Sequence, residues 1–248
     1  MRNNKKITQL YLVVLALFVL HPALAQGDDN YSDMLLTDSF KLYREADFEM
    51  AYHIFPFLKE RFLEQLEDST SFANPYQGLS EYMGILRSSD SLVRTYSWSE
   101  RDSGCCHSSE TYAQFKTTSG VIKYVDLEAM ENDAGEVFIT DLQKITISKK
   151  PYYLILGNGT CCGGKHYSTA RVYEITKDSL RRCEAVFNED AEIYAGANRG
   201  QRIGLSYDPE TETLSHNGYK MDEETGFYDR EKTVVQWKLT KNGFRKMK

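Results

Sequence analysis

The stretch Pro151–Thr176, PYYLILGNGTCCGGKHYSTARVYEIT, decides how this chain is read. Tyr152 to Gly157 is a short apolar run, and Tyr167 to Thr176 is rich in Thr, Val, Tyr and Ile, so both ends read as β-strands joined by a loop of Gly, Cys and His. No long helical pattern separates them, and strands connected this directly pair antiparallel rather than through a crossover helix. A second loop of the same plan, Ser103–His107 (SGCCH), follows a strand that ends in Tyr96 and Trp98.

Working outward, β-type runs adjoining turn signals fill the chain from residue 81 onward. They are Glu81–Arg87, Leu92–Trp98, Thr111–Thr117, Val121–Leu127, Val137–Ile147, Tyr152–Gly157, Tyr167–Thr176, Leu180–Phe187, Ile203–Tyr207, Thr213–Asn217, Thr233–Leu239 and Phe244–Met247. A meander of these strands sorts its connections into two ends. The tight turns 88–91, 118–120, 148–151, 176–179, 208–212 and 240–243 fall at one end. The longer loops 99–110, 128–136, 158–166, 188–202 and 218–232 fall at the other, a rim that holds four of the five Cys and many acids: Glu128, Glu131, Asp133, Glu136, Glu189, Asp190, Glu192, Asp222, Glu223 and Glu224. Long loops on a rigid meander are where binding is usually placed.

Before the strands, apolar residues recur at helical spacing, first as Leu36, Phe40 and Tyr43, then as Ala51, Tyr52, Phe55, Leu58, Phe62 and Leu66. Two helices are expected, the second capped by Asp47 and kinked or broken near His53–Phe55 by Pro56. Before the helices, Arg2, Lys5 and Lys6 precede the apolar run Leu10–Leu20 and the small-residue site Ala23–Ala25, the plan of a cleaved export leader. The expected organisation is a signal peptide over 1–25, a helical segment over 26–76 and an antiparallel β-domain over 77–248. The fold class is mainly β with N-terminal helices (α+β), an antiparallel meander closed as a barrel or folded as a sandwich, with the helices packed beside it. The expected location is periplasmic or secreted.

The 36 acidic and 30 basic residues, net charge -6, provide no basic excess for nucleic acid, and no segment after the leader is long enough for stable membrane insertion. Gly159–Lys165 (GTCCGGK) matches the opening of a phosphate-binding P-loop. However, His166 replaces the Ser or Thr that would hold magnesium, and the following residues read as strand, so no helix N-terminus faces a phosphate. Gly159, Cys161 and Gly163 match a Cys nucleophile elbow, again without its helix. Cys105, Cys106, His107, Cys161, Cys162 and His166 are soft metal donors, but adjacent cysteines diverge and rarely reach one ion together. In an oxidising compartment the better reading is disulfide bonding between Cys105 or Cys106 and Cys161 or Cys162, with Cys183 the odd, buried thiol. Tyr96, Trp98 and Trp237 in strands read as core rather than a sugar platform. Asp126, Glu128, Glu131 and Asp133 lack EF-hand spacing.

The phrases SSDSLVRTYSW (88–98) and YYLILGNG (152–159) resemble segments of uncharacterised secreted proteins of Bacteroidetes over roughly Ser88–Leu180. The resemblance implies export and β structure and carries no activity.

The expectation is therefore an exported binding or interaction protein, non-enzymatic and without a cofactor or metal. Its surface is the long-loop rim around His107, Lys165 and His166, and its partner is an extracytoplasmic ligand or protein. The alternative is an extracytoplasmic, glycan-directed hydrolase using rim carboxylates.

Overall fold

The structure, a computed structural model, describes residues 31–101, 103–104, 107–128, 137–161 and 163–247, with Cys161 described by its backbone alone. The expected leader, 1–25, lies outside these residues, and no helix among them is long and apolar enough to cross a membrane.

A helix over 31–45 (α1) and a second, α2 (Phe48–Glu67), bury the residues that their periodicity marks: Leu36, Phe40 and Tyr43 on the first, Ala51, Leu58, Phe62 and Leu66 on the second. Asp47 caps α2, its carboxylate accepting from the Met50 amide at 2.9 Å, which satisfies one of the helix's orphan donors. Pro56 lies inside α2 without ending it, so the expected break is absent. Packing overrides the local penalty: Leu58, Phe62 and Leu66, all beyond the proline, are buried against the sheet below.

The strands are β1 (Gly84–Arg87), β2 (Val93–Ser99), β3 (Ser109–Lys116), β4 (Ile122–Asp126), β5 (Phe138–Ile147), β6 (Lys150–Cys161), β7 (Lys165–Ile175), β8 (Leu180–Arg182), β9 (Glu192–Asn198), β10 (Ser206–Asp208), β11 (Thr213–Met221), β12 (Tyr228–Thr240) and β13 (Gly243–Lys246). All their pairings are antiparallel. They form three sheets, in the orders β1-β2-β3-β4 (sheet A), β5-β6-β7-β8 with β9 also on β7 (sheet B), and β10-β11-β12-β13 (sheet C). The fold is thus α+β and mainly β. Its layers are stacked as in a sandwich rather than wrapped into one barrel.

Side-chain alternation builds the stack. On β2, Tyr96 and Trp98 join Phe40 and Phe62 under the helices, while Val93 turns the other way, to Ile155 and Tyr173 of sheet B. On β6, Tyr153 and Ile155 face sheet A, whereas Leu154 and Leu156 face Leu214, Trp237 and Phe244 of sheet C. Sheet B is therefore covered on both faces, which is why its strands read as near-continuous apolar runs. The burial of Tyr96, Trp98 and Trp237 settles their role as core. Asp90 ties sheets A and B at the turn end, accepting from Tyr153 Oη at 3.1 Å and pairing with Lys144 Nζ at 3.2 Å.

Four expectations change. The strand read as Leu180–Phe187 stops at Arg182: residues 183–191 form a bulge out of the ladder, in which Phe187 is buried, stacked on Phe244 and edge-on to Trp237. The chain then returns to the same edge of β7 as β9, inside a segment read as a loop, because EIYAGAN has Ala and Gly where strand-favouring residues would announce it. The strand read as Glu81–Arg87 begins only at Gly84, since Glu81 closes a 3-10 turn over Leu79–Glu81. The segment 218–232 is mostly a long β11–β12 hairpin arm that turns over 222–227.

The tight turns touch one another at one end of the stack. The Thr118 amide donates to the Thr176 carbonyl at 3.2 Å, and Ser148 Oγ to the Lys241 carbonyl at 2.6 Å. Since β8 and β9 run the same way along one edge of β7, the unforeseen strand leaves the alternation of ends unchanged.

Candidate functional site

At the other end lies a cleft of about 610 Å³, walled by Ser99 and Ser109 at the ends of β2 and β3, by His107 from the loop between them, and by residues 201–205 after β9. Its floor is sheet B: Asn158 and Thr160 of β6 with His166 and Ser168 of β7, on alternate positions and hence on one face.

Why the chain folds this way here follows from the β6–β7 hairpin. The ladder continues to the pair Cys161–Lys165, so GTCCGGK is a strand end, a tight turn and a strand start rather than a phosphate loop. Gly163 and Gly164 both have positive φ, 81° and 78°, a backbone that other residues adopt only with strain. The turn therefore closes quickly enough to bring His166 back beside Thr160, its register partner.

The cleft's polar groups differ in what already holds them. Ser168 Oγ donates to Asn158 Oδ1 at 2.6 Å, which commits the amide oxygen and leaves the Nδ2 donors. Gln201 is used structurally, accepting from the Asn198 amide at 2.7 Å and donating to the Asp229 carbonyl at 2.6 Å. The Arg202 carbonyl accepts from Asn217 Nδ2 at 2.7 Å and Tyr219 Oη at 3.1 Å, which anchors the residue by its backbone. His107 has φ 47°, a left-handed backbone that is uncommon outside glycine.

Of the rim residues foreseen, His107 and His166 meet in this cleft, although one comes from a loop joining two strands of sheet A and the other from sheet B. Lys165 does not line it. Its Nζ donates to the Gly226 carbonyl at 3.1 Å and lies 5.8 Å from the Phe227 ring centre, fastening the hairpin arm to the rim. A close approach assists this: a methyl at Gly196 would lie 1.9 Å from Tyr228 Oη, so only glycine lets the arm lie down. Among the foreseen acids, Glu192 is drawn inward, pairing with Arg171 Nε at 2.9 Å and an Arg182 Nη at 3.1 Å, while Glu131, Asp133 and Glu136 lie outside the described residues.

Cys105, Cys106 and Cys162 also lie outside the described residues. Cys183 is a free, half-buried thiol just past β8, and burial, aided by the charge of Glu174, pushes its pKa up to about 11, which keeps it protonated at neutral pH. Among the described residues no group of three or more His, Cys, Asp or Glu is placed to hold a metal ion.

The sequence reading missed Asn158, Ser168 and Arg202. Alternation from His166 would have placed Ser168 on the same strand face, but Arg202 closes a segment whose acids had attracted all the weight. The chain matches no protein-family model, no curated protein and no solved structure.

Proposed function

We propose that this chain is an exported, non-enzymatic binding protein whose ligand occupies the cleft at the rim. One observation carries the reading: His107 from the β2–β3 loop and His166 of β7, together with Asn158 and Arg202, converge on a cavity of metabolite size. The hydrolase alternative requires rim carboxylates at the cleft, and none of the described residues lining it is Asp or Glu.

The test is a thermal-shift panel of neutral, cationic and anionic metabolite-sized compounds on the mature chain, with hits mapped by NMR on the histidine rings. Hits should perturb His107 and His166 together and be recovered unchanged, and His166→Ala should weaken them about tenfold. Turnover of a hit, or hits that leave both rings unmoved, would defeat the reading.

Export also bears on the cysteines. We propose a structural cross-link between Cys105 or Cys106 and Cys161 or Cys162, supported by the export leader and by the neighbouring His107, Thr160 and His166 lining one cleft. Non-reducing peptide mapping should find a peptide joining the two segments. A reductant should lower the melting temperature, and a chelator should leave it unchanged. Four titratable thiols in the native exported protein would rule the cross-link out.

A further inference from the structure

We propose that the ligand of the cleft is a small oxyanion, a compact carboxylate or phosphate, gripped by Arg202, His107 and His166. This rests on the binding reading above and adds the ligand's chemical class. Three observations combine.

The chain carries 36 acidic residues, yet every charged or chargeable side chain among the described residues lining the cleft is Arg or His. A concave site lined by one sign of charge on a protein of opposite net charge concentrates the complementary ion, since low-dielectric walls focus the field.

Arg202 is also positioned without being neutralised. Asn217 and Tyr219 hold its carbonyl, but its guanidinium has no carboxylate partner among the described residues. Among the described arginines, Arg171 and Arg182 pair with Glu192, Arg61 with Glu64 and Arg181 with Glu174, whereas Arg202 is one of those that no carboxylate neutralises. An unpaired guanidinium carried on an anchored backbone at a cleft wall suits a planar carboxylate or a phosphate, which its fork of donors meets two at a time.

The remaining polar atoms point the same way. With Asn158 Oδ1 occupied by the Ser168 hydroxyl, the free atom of that amide is the donor Nδ2, and neither His107 nor His166 finds a hydrogen-bond partner among the described residues. His107 is held in a left-handed backbone that costs on the order of 1 kcal/mol, the kind of local strain that collects at ligand clamps. The site therefore presents the Arg202 charge, the Asn158 amide donor and two imidazoles able to donate, and a cationic ligand would meet no carboxylate among the described residues lining it.

The experiment is a titration of the mature chain with inorganic phosphate, citrate and, as the neutral probe, glucose, followed by NMR of the histidine rings and the Arg202 Nε–H. Phosphate, citrate or both should shift the three signals saturably. The affinity should fall as sodium chloride is raised, because added ions screen the attraction. Arg202→Gln should weaken binding tenfold or more, and Arg202→Lys should weaken it less for phosphate than for citrate, since lysine keeps the charge but loses the fork. The phosphate and citrate arms separate the two sources of the oxyanion. Saturable shifts with glucose and none with either anion would overturn the oxyanion assignment while leaving the cleft a binding site. Silence of all three signals with all three probes would overturn the assignment too, and the thermal-shift panel would then decide the binding reading separately. Anion shifts that survive Arg202→Gln at full affinity would remove Arg202 from the grip and defeat the proposal as stated.

Discussion

Phe62→Ala should destabilise the protein by about 3–5 kcal/mol, the loss found when a fully packed aromatic is truncated and its cavity collapses only partly. Phe62 is 0% exposed and makes ring contacts at centroid distances of 6.2, 5.3, 5.1 and 6.2 Å with Phe40, Tyr96, Trp98 and Tyr112. It joins α1, α2, β2 and β3, so its loss loosens the helices from sheet A at their centre. Urea unfolding of the protein measures it, with Phe57→Ala as the control. Phe57 sits on the same helix but is 70% exposed, and its truncation should stay within about 0.5 kcal/mol. Similar losses from the two would mean that the helices do not pack on sheet A through the Phe62 face.

Gly243→Ala should cost about 3 kcal/mol or more, from two sources acting together. Gly243 has φ 108°, a conformation strained for alanine, and an added methyl would lie 2.5 Å from the Val186 carbonyl oxygen. That carbonyl cannot move aside freely, since it accepts the Phe244 amide at 2.8 Å where β13 meets the 183–191 bulge. Gly120→Ala isolates the first source: φ is 88°, but nothing lies within 4 Å of the added methyl, so only the strain of about 1 kcal/mol is expected. Equal losses at the two glycines in urea melts would show that the close approach at Val186 is not there.

What the sequence reveals depends on whether a residue's role is local. The hairpin through Tyr153 and Tyr173 is legible because both of its strands are apolar and are joined through a glycine-bearing turn, and α2 because Ala51, Leu58, Phe62 and Leu66 recur along one face. β9 escapes notice because Ala195 and Ala197 are small where β11 and the 201–205 segment press close: Ile203 and Tyr219 cover them, so burial rather than propensity makes the strand. The break expected at Pro56 is absent for a related reason, tertiary packing of the residues beyond it. At the cleft, His107 and His166 stand out because histidine is scarce, five in 248 residues. Arg202 does not, because its meaning lies in an anchored carbonyl and in the carboxylate it lacks among the described residues, neither of which has a sequence pattern. Lys165 misleads for the opposite reason: it sits one residue from His166, but alternation sends it to the other face of β7, where the hairpin arm engages it.

The double burial of sheet B bears on how this chain can vary. Along Tyr153–Leu156, and again along Ala170–Tyr173, successive side chains enter different cores, so neither run contains a position where a substitution would fall harmlessly on a surface. Residues 229–234 of β12 are the reverse, exposed on both faces. Drift among descendants of this sequence should therefore be slow in the strands of the β6–β7 hairpin and fast in the arm. The cleft sits where the constrained hairpin emerges from the stack, so its floor is inherited with the fold while its walls, supplied by loops, are free to change what they accept.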